Sequence, residues 1–292
     1  MFRVHEPHPG ILAFYEGRDG SRYKPGPNWV DDGALSLGLS SYAVCAGDTA
    51  LVYDCHLSPD RARRIRDLLT ARGVRVFTVI LSHWHIDHIA GTEGFADCEI
   101  IANPRTLGHM TRERAAFEAG TYAGPPAISP LILPNRIFDD RLVLDLGGEP
   151  VELLAYDIHS DDATVLWLPK RGVLLAGDTL EDCVTYVSEP QDLPRHLPEL
   201  DRVARLGARA ILPNHGAEEV IAGGGYGPGL IAATRDYVAS LIAGTAHPDL
   251  DEAIAAPVQR GDLIPFAGYQ AVHSRNLVKV AEARAAGHLT GA

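Results

Sequence analysis

Residues 74–88 read VRVFTVILSHWHIDH, an apolar run that breaks into four metal-type donors within six positions. Val74 to Leu81 is mostly apolar or β-branched and lacks polar alternation, which predicts a buried strand. His83, His85, Asp87 and His88 stand at its end. Imidazole nitrogen and carboxylate oxygen suit Zn²⁺ and its first-row neighbours. In extended backbone His83 and His85 point the same way, because side-chain direction alternates along a strand. Where the strand breaks, Asp87 and His88 can aim at a second point. One short loop can thus serve two ions.

Working outward, the stretch before this strand predicts a helix. Ser58 suits its cap, Pro59 its first turn and Gly73 its end, and Ala62, Ile65, Leu68 and Leu69 form an apolar stripe. Strands are expected over 10–15, 35–44 and 50–53 upstream and over 99–102 downstream. A helix should follow over 106–118, then an irregular Pro-rich stretch over 120–134. A strand-dense half covers 141–146, 151–158, 164–168 and 173–176, with short polar connectors. A helix over 197–206, a strand over 208–212 and helices over 230–243 and 269–286 complete the pattern. Strands and helices in this order predict an α/β chain of two packed sheets with helices outside.

Two ions need more than four ligands. His159, Asp178 and His215 each stand at the carboxyl end of an expected strand, after LLAYDI, GVLLAG and AILPN. Strand ends are rigid, so donors there can converge without ordering a loop.

With these residues assembled, the sequence resembles the metallo-β-lactamase-fold hydrolase superfamily over about residues 10 to 245. The matching segments are SHWHIDH, IHSDD around His159, AGDTL around Asp178 and PNHG around His215. The resemblance implies an αββα sandwich of two mixed sheets, with a dinuclear site at one edge. It implies that His83, His85 and His159 hold one divalent metal and that Asp87, His88 and His215 hold the other. Asp178 would bridge them. Zn²⁺ is the expected ion, with Fe or Mn as alternatives. Asp54 matches an aspartate that supports a metal histidine from behind. Asp87 and Asp178 are the expected catalytic carboxylates, and Asp178 would position a metal-bridging hydroxide. The chain departs from common patterns at Asp54-Cys55-His56, often Asp-Thr-Gly, and at Ala90-Gly91, often Gly-Gly. An aspartate at the bridging position resembles the thioesterase, lactonase and phosphodiesterase branches more than the antibiotic-degrading enzymes, which carry Cys or Ser there.

The expected function is hydrolysis of an ester, thioester, lactone or amide in a small molecule. A phosphodiesterase or nuclease, a mononuclear-iron sulfur dioxygenase and a non-catalytic metal-binding module are the alternatives. Acidic residues outnumber basic ones 38 to 26, a balance that disfavours extended nucleic acid as a partner. No apolar run approaches the length of a membrane span, and MFRVHEPHPG lacks the pattern of a secretory signal. A cytoplasmic, unprocessed protein is therefore expected. Cys45, Cys55, Cys98 and Cys183 are scattered, as reduced thiols would be. One domain is expected over residues 1–292, with C-terminal helices from about 228 packing on it. Oligomeric state is not legible.

Tyr122, Tyr186 and Tyr226 are candidate pocket donors. Substrate specificity is assigned to 120–134, 182–194 and the glycine-rich run 222–229. Arg275 and Lys279 share the last helix, and a solvated face is the expected setting for both. The eight remaining histidines carry no assigned role. His5, His8, His247 and His288 are expected in solvent, His109 and His196 at the surface or caps of helices, and His273 on a polar face.

Overall fold

Along the second strand, buried side chains alternate between two cores: Ile11, Ala13 and Tyr15 join one, Leu12 and Phe14 the other. A strand that is apolar on both faces requires a covering layer on each. In the computed structural model, which describes residues 1–289, the chain supplies both layers. Positions 290–292 of the expected domain lie outside the described residues.

The first sheet contains β1 (Arg3–His8), β2 (Ile11–Glu16), β3 (Leu39–Ala46) and β4 (Thr49–Tyr53). After α1 (Pro59–Ala71) it continues with β5 (Val76–Ile80), then α2 (Ile86–Ile89), β6 (Glu99–Ala102), α3 (Pro104–Ala119) and β7 (Arg136–Ile137). Its strand order is sequential, antiparallel through β4 and parallel from β4 to β7. The second sheet is built from β8 (Arg141–Leu146), β9 (Glu149–Ile158), β10 (Ser160–Leu168) and β11 (Val173–Gly177). Next come α4 (Leu193–Ala204), β12 (Ala210–Pro213), α5 (Glu218–Ala222), α6 (Gly229–Ala243), α7 (Leu250–Ala253), α8 (Ala255–Arg260) and α9 (Gln270–Ala285). Its order is β12-β11-β10-β9-β8, with β11 and β12 parallel.

The inner faces of the two sheets meet through residues such as Tyr42, Ile80, Leu153 and Val165. Outside the first sheet, Ile65 and Leu69 of α1 and Met110 and Phe117 of α3 pack on Val52 and Val79. Outside the second lie α4, α6 and α9, through Leu200, Leu241 and Val280. The architecture is therefore an αββα sandwich of two mixed sheets. Three buried tyrosines stitch the sheets together at one edge. Tyr53, Tyr42 and Tyr15 donate their hydroxyls to the carbonyls of Thr164, Pro213 and Gly216, at 2.6, 2.5 and 2.9 Å. A buried phenol needs such a partner, so these bonds fix how the sheets align.

Strand direction then positions the donors. β4 and β5 are parallel, and β9 runs with β11 and β12 because β10 opposes both of its neighbours. Their carboxyl ends deliver Asp54, Ser82-His83, His159, Asp178 and Asn214-His215 to a single rim.

Several expected boundaries move by a few residues, and some elements were not expected. β1 escapes the apolar pattern because it is an edge strand carrying Pro7, His5 and His8, a composition that discourages further pairing. Residues Val30–Leu35, where no element is expected apart from Leu35 at the start of a strand, form a wide helical turn, and the strand itself begins at Leu39. The fourth helix starts at Leu193 rather than 197, because Pro194 falls in its first turn, where it needs no N–H partner. Ser58 does cap α1, its side chain accepting from Arg61 N.

Gly91 is where the donor loop crosses α1. A Cβ there would lie 1.9 Å from the Cys55 carbonyl oxygen and 2.8 Å from Ala62 Cβ. The constraint is close approach of two backbones, since φ is an ordinary −90°. Gly91→Ala is expected to cost about 2–3 kcal/mol of stability through overpacking, read as a lower urea midpoint. An unchanged midpoint would mean that the loop does not pass this close to α1 in solution.

Candidate metal centre and its cavity

Five imidazoles and two carboxylates converge at the rim in two groups. His83, His85, His159 and Asp178 form one, and Asp87, His88 and His215 the other, each with potential ligand atoms within 4.8 Å of one another. Asp178 Oδ2 lies between them, 3.1 Å from His88 Nε2, 3.4 Å from His215 Nε2, and 3.7 Å from both His83 Nε2 and His159 Nε2. Asp87 Oδ2 is 3.2 Å from His215 Nε2. His159 Nε2 and His85 Nδ1 are 3.0 Å apart.

The opposite ring nitrogens are held from behind, and this sets the tautomers. The Nδ1–H of His83 donates to Ser82 Oγ at 2.9 Å, and that of His215 to the Gly38 carbonyl at 2.7 Å. His88 Nδ1 donates to Asp54 Oδ2 at 3.0 Å. Asp54 is completely buried and also accepts from Ser82 N at 2.7 Å, Ser82 Oγ at 2.6 Å and Asn214 Nδ2 at 2.5 Å. One carboxylate thus orients His88 directly and His83 through Ser82. His159 Nδ1 lies 3.2 Å from Glu181 Oε1, and Glu181 also accepts from Tyr186 N and Tyr269 Oη.

The site's electrostatics follow from this packing. Burial, reinforced by neighbouring imidazoles, holds His83 well below the usual histidine range and His85 down at about 3. Burial also opposes charge on His88 and His215, but the Asp178 and Asp87 carboxylates outweigh it and push both pKa values well up. Against their own burial, Asp178 and Asp87 are held below the ordinary carboxylate range by those same two rings. In the metal-free protein these carboxylates thus favour the protonated forms of His88 and His215.

The donor set fits divalent ions. His83 Nε2 and Asp178 Oδ1 are buried and have no hydrogen-bond partner, a cost that coordination would remove. Ligands must be deprotonated before they coordinate, so metal uptake should expel the protons on His88 and His215. Zinc added to the metal-free protein in weak buffer near pH 7 should acidify the solution, and apparent affinity should rise with pH. Uptake without proton release would contradict this charge assignment.

The centre opens into a cavity of about 1460 Å³, larger than the usual few hundred to 1,000 Å³ of small-molecule sites. One wall is aromatic: Trp84 stacks on His109 with centroids 4.8 Å apart and meets Tyr122 edge-on at 5.7 Å. Tyr186 stands nearer the metal-type donors, 6.3 Å from the His159 ring. Of the segments assigned to specificity, residues 122–125 and Tyr186, Ser188, Glu189 and Asp192 line the cavity. The glycine-rich run does not: it pairs back on β12 through a bridge between Tyr226 and Ile211.

Several expected placements need correction. Tyr226 is not a pocket residue; it is buried, donating to Asp182 Oδ2 at 2.6 Å and accepting from Ala217 N at 2.8 Å. Arg275 is exposed, as expected, and Lys279 is half-buried; both also line the cavity, as do His109 and His196. His273 is fully buried, bonded to Tyr237 Oη and the His247 carbonyl. A third group, His109, Asp161 and Asp162, also gathers close. Asp161 binds His109 at 2.7 Å and Arg112 contacts the other ring nitrogen at 2.7 Å, so this group braces the cavity wall. The supporting residues Glu181, Asn214 and Ser82 and the cavity segment around Val30–Leu35 were not singled out in the sequence. AGDTLED and PNHG place Glu181 and Asn214 beside candidate ligands, the one signal that could have marked them.

The sequence profile of the metallo-beta-lactamase superfamily matches residues 37–215. A hydroxyacylglutathione hydrolase of Rhodobacter capsulatus is 31% identical over 135 residues, 46% of this chain and 44% of that protein. An atrochrysone carboxyl ACP thioesterase of Aspergillus fumigatus is 25% identical over 181 residues, 62% of this chain and 51% of the relative. The chain thus spans about half the length of the curated relatives it matches. Among solved structures, a metallo-beta-lactamase from Pontibacter korlensis superposes with a TM-score of 0.61 at 15% identity, over 82% of this chain and 99% of that one. At that identity the likeness concerns the fold. Among the described residues, no helix is long and apolar enough to cross a membrane.

Proposed function

The chain belongs to the metallo-beta-lactamase superfamily, and from that premise we propose that it is a metal-dependent hydrolase of a small-molecule ester, thioester, lactone or amide. The observation that carries the reading is the pair of donor groups sharing Asp178, with unpartnered His83 Nε2 and Asp178 Oδ1 buried at their junction. His83, His85 and His159 would hold one ion, Asp87, His88 and His215 the other, and Asp178 would contact both. An all-nitrogen-and-oxygen set of this kind suits Zn²⁺ first, with Fe or Mn as alternatives.

Divalent ions at such a site supply water acidified to a pKa of about 7 and an electrophile for the substrate's carbonyl oxygen. The chain's own groups do the rest. Asp178 Oδ1, which has no other partner, orients the attacking water and takes up its proton. Tyr186 Oη accepts from Lys279 Nζ at 3.0 Å, which leaves its own proton to donate toward an oxyanion or leaving group. Trp84 and Tyr122 supply apolar area for the acyl portion and keep water from that side of the cavity.

The test is metal analysis followed by a substrate panel: an aryl ester, an aryl thioester, a lactone, a β-lactam, an aryl phosphodiester and a glutathione persulfide. Ester, thioester or lactone turnover by the zinc-loaded protein supports the reading. Phosphodiester turnover alone, or oxygen uptake by an iron-loaded protein with the persulfide, would replace it with another chemistry.

A further inference from the structure

The cations lining the cavity are not equivalent. Arg22 pairs with Asp32 at 3.3 Å and Asp31 at 3.6 Å. Arg195 pairs with Asp192 at 3.2 Å and Asp157 at 3.9 Å, and Arg112 with Glu113 at 2.9 Å. Arg105, Arg275 and Lys279 differ: among the described residues none of the three forms an ion pair with a carboxylate, although all line the same cavity. Arg105 is engaged, donating to the Asp161 carbonyl at 2.5 Å.

Arg275 and Lys279 stand four residues apart on α9, one helical turn, so two like charges share a face. Such a like-charge pair is unfavourable for the helix itself. Lys279 is fixed in place: its ammonium donates to the Val187 carbonyl at 3.0 Å, the Ser188 carbonyl at 3.3 Å and Tyr186 Oη. It also lies 4.7 Å from the Tyr186 ring centroid, and that ring is 6.3 Å from the His159 ring. Arg275 is exposed and makes no hydrogen bond among the described residues. The carboxylates opposite are largely engaged, Asp31, Asp32, Asp157 and Asp192 by arginines and Asp161 by His109. Glu189 shares this wall without an ion pair to either cation.

We propose that Arg275, with Lys279 adding to the local field, forms an anion-recognition subsite at the α9 wall. The substrate would then carry a carboxylate or phosphate on the part that reaches this wall. Arg275 supplies the planar donor pair that binds such oxygens bidentately, and Lys279, whose protons are already committed, contributes charge. Substrate length is bounded on one side by the metal-type donors and on the other by this helix. The inference rests on the hydrolase reading for the position of the scissile bond, but recognition of the anion is a property of the α9 wall alone.

The experiment uses acetyl thioesters of three thiols of equal chain length, ending in a carboxylate, a phosphate monoester or a neutral carboxamide. Their non-hydrolysable thioether counterparts serve for calorimetric binding. The wild-type protein should favour the anionic members about tenfold in kcat/KM and in thioether affinity. Arg275→Gln should abolish most of that preference through KM, leaving kcat and the carboxamide substrate unchanged, and Arg275→Glu should reverse it. Comparing carboxylate with phosphate shows which anion the wall accepts better. An equal response of wild type and Arg275→Gln to charge, in turnover and in thioether binding, would overturn the proposal. If no thioester is turned over but Arg275 still governs thioether binding, the hydrolase reading fails and the subsite stands.

Discussion

Asp178→Asn is expected to yield a folded protein whose turnover falls about a thousandfold. The amide keeps the shape of the side chain but removes the charge that faces four imidazoles within 3.7 Å. It also puts N–H donors where the proposed site requires lone pairs, so the contact with two ions proposed for this residue would be lost. Charge stabilisation of this kind is worth several kcal/mol in a transition state, and about 4 kcal/mol corresponds to a factor of a thousand. Folding should suffer far less. His88 and His215, no longer held protonated by this carboxylate, can shed their protons as its charge disappears. Progress curves beside thermal denaturation of the metal-free protein make the check. A loss below tenfold would remove Asp178 from the chemistry, and a collapse of the melting transition would make it structural.

Asp54→Ala should act on affinity and stability together. Asp54 accepts from Ser82 N, Ser82 Oγ, Asn214 Nδ2 and His88 Nδ1, and all four groups lie in fully or almost fully buried residues. Truncation orphans them at once, and each buried unsatisfied polar group costs about 1–3 kcal/mol. Loss of the carboxylate also frees the ring orientations of His88 and, through Ser82, of His83. Removing an outer-shell carboxylate of this type typically lowers metal affinity 10- to 100-fold. Zinc competition with a chromophoric chelator and a denaturant titration read the two effects separately. Wild-type zinc affinity in the variant would show that ring orientation does not depend on Asp54.

The donor residues that converge at the rim were legible because their signal is local. A β-branched run ending in H-x-H-x-D-H fixes a strand, its end and the donors on it. Three more donors at the ends of expected strands imply one rim once the strands are parallel. The supporting residues are legible only by proximity. Glu181 matters because the chain after β11 returns it to His159, with Tyr269 arriving from the foot of α9, and no periodicity encodes that encounter. α9 shows the same limit. Its buried stripe is Val272, His273, Asn276 and Val280, two of them polar and bonded to Tyr237. A hydrophobic pattern cannot reveal that face, so the opposite one, with Arg275 and Lys279, read as plain solvent. Tyr226 misled for a related reason: closeness to His215 in sequence says nothing about the side of β12 on which a side chain lies.

The most direct test of the central claim is the zinc bound per chain at equilibrium, measured on the wild-type protein, on His83→Ala/His159→Ala and on His88→Ala/His215→Ala. Two ions in the wild type, with a marked loss in each double variant, are the expected result. A wild-type chain that binds no ion, or double variants that retain both, would contradict the account.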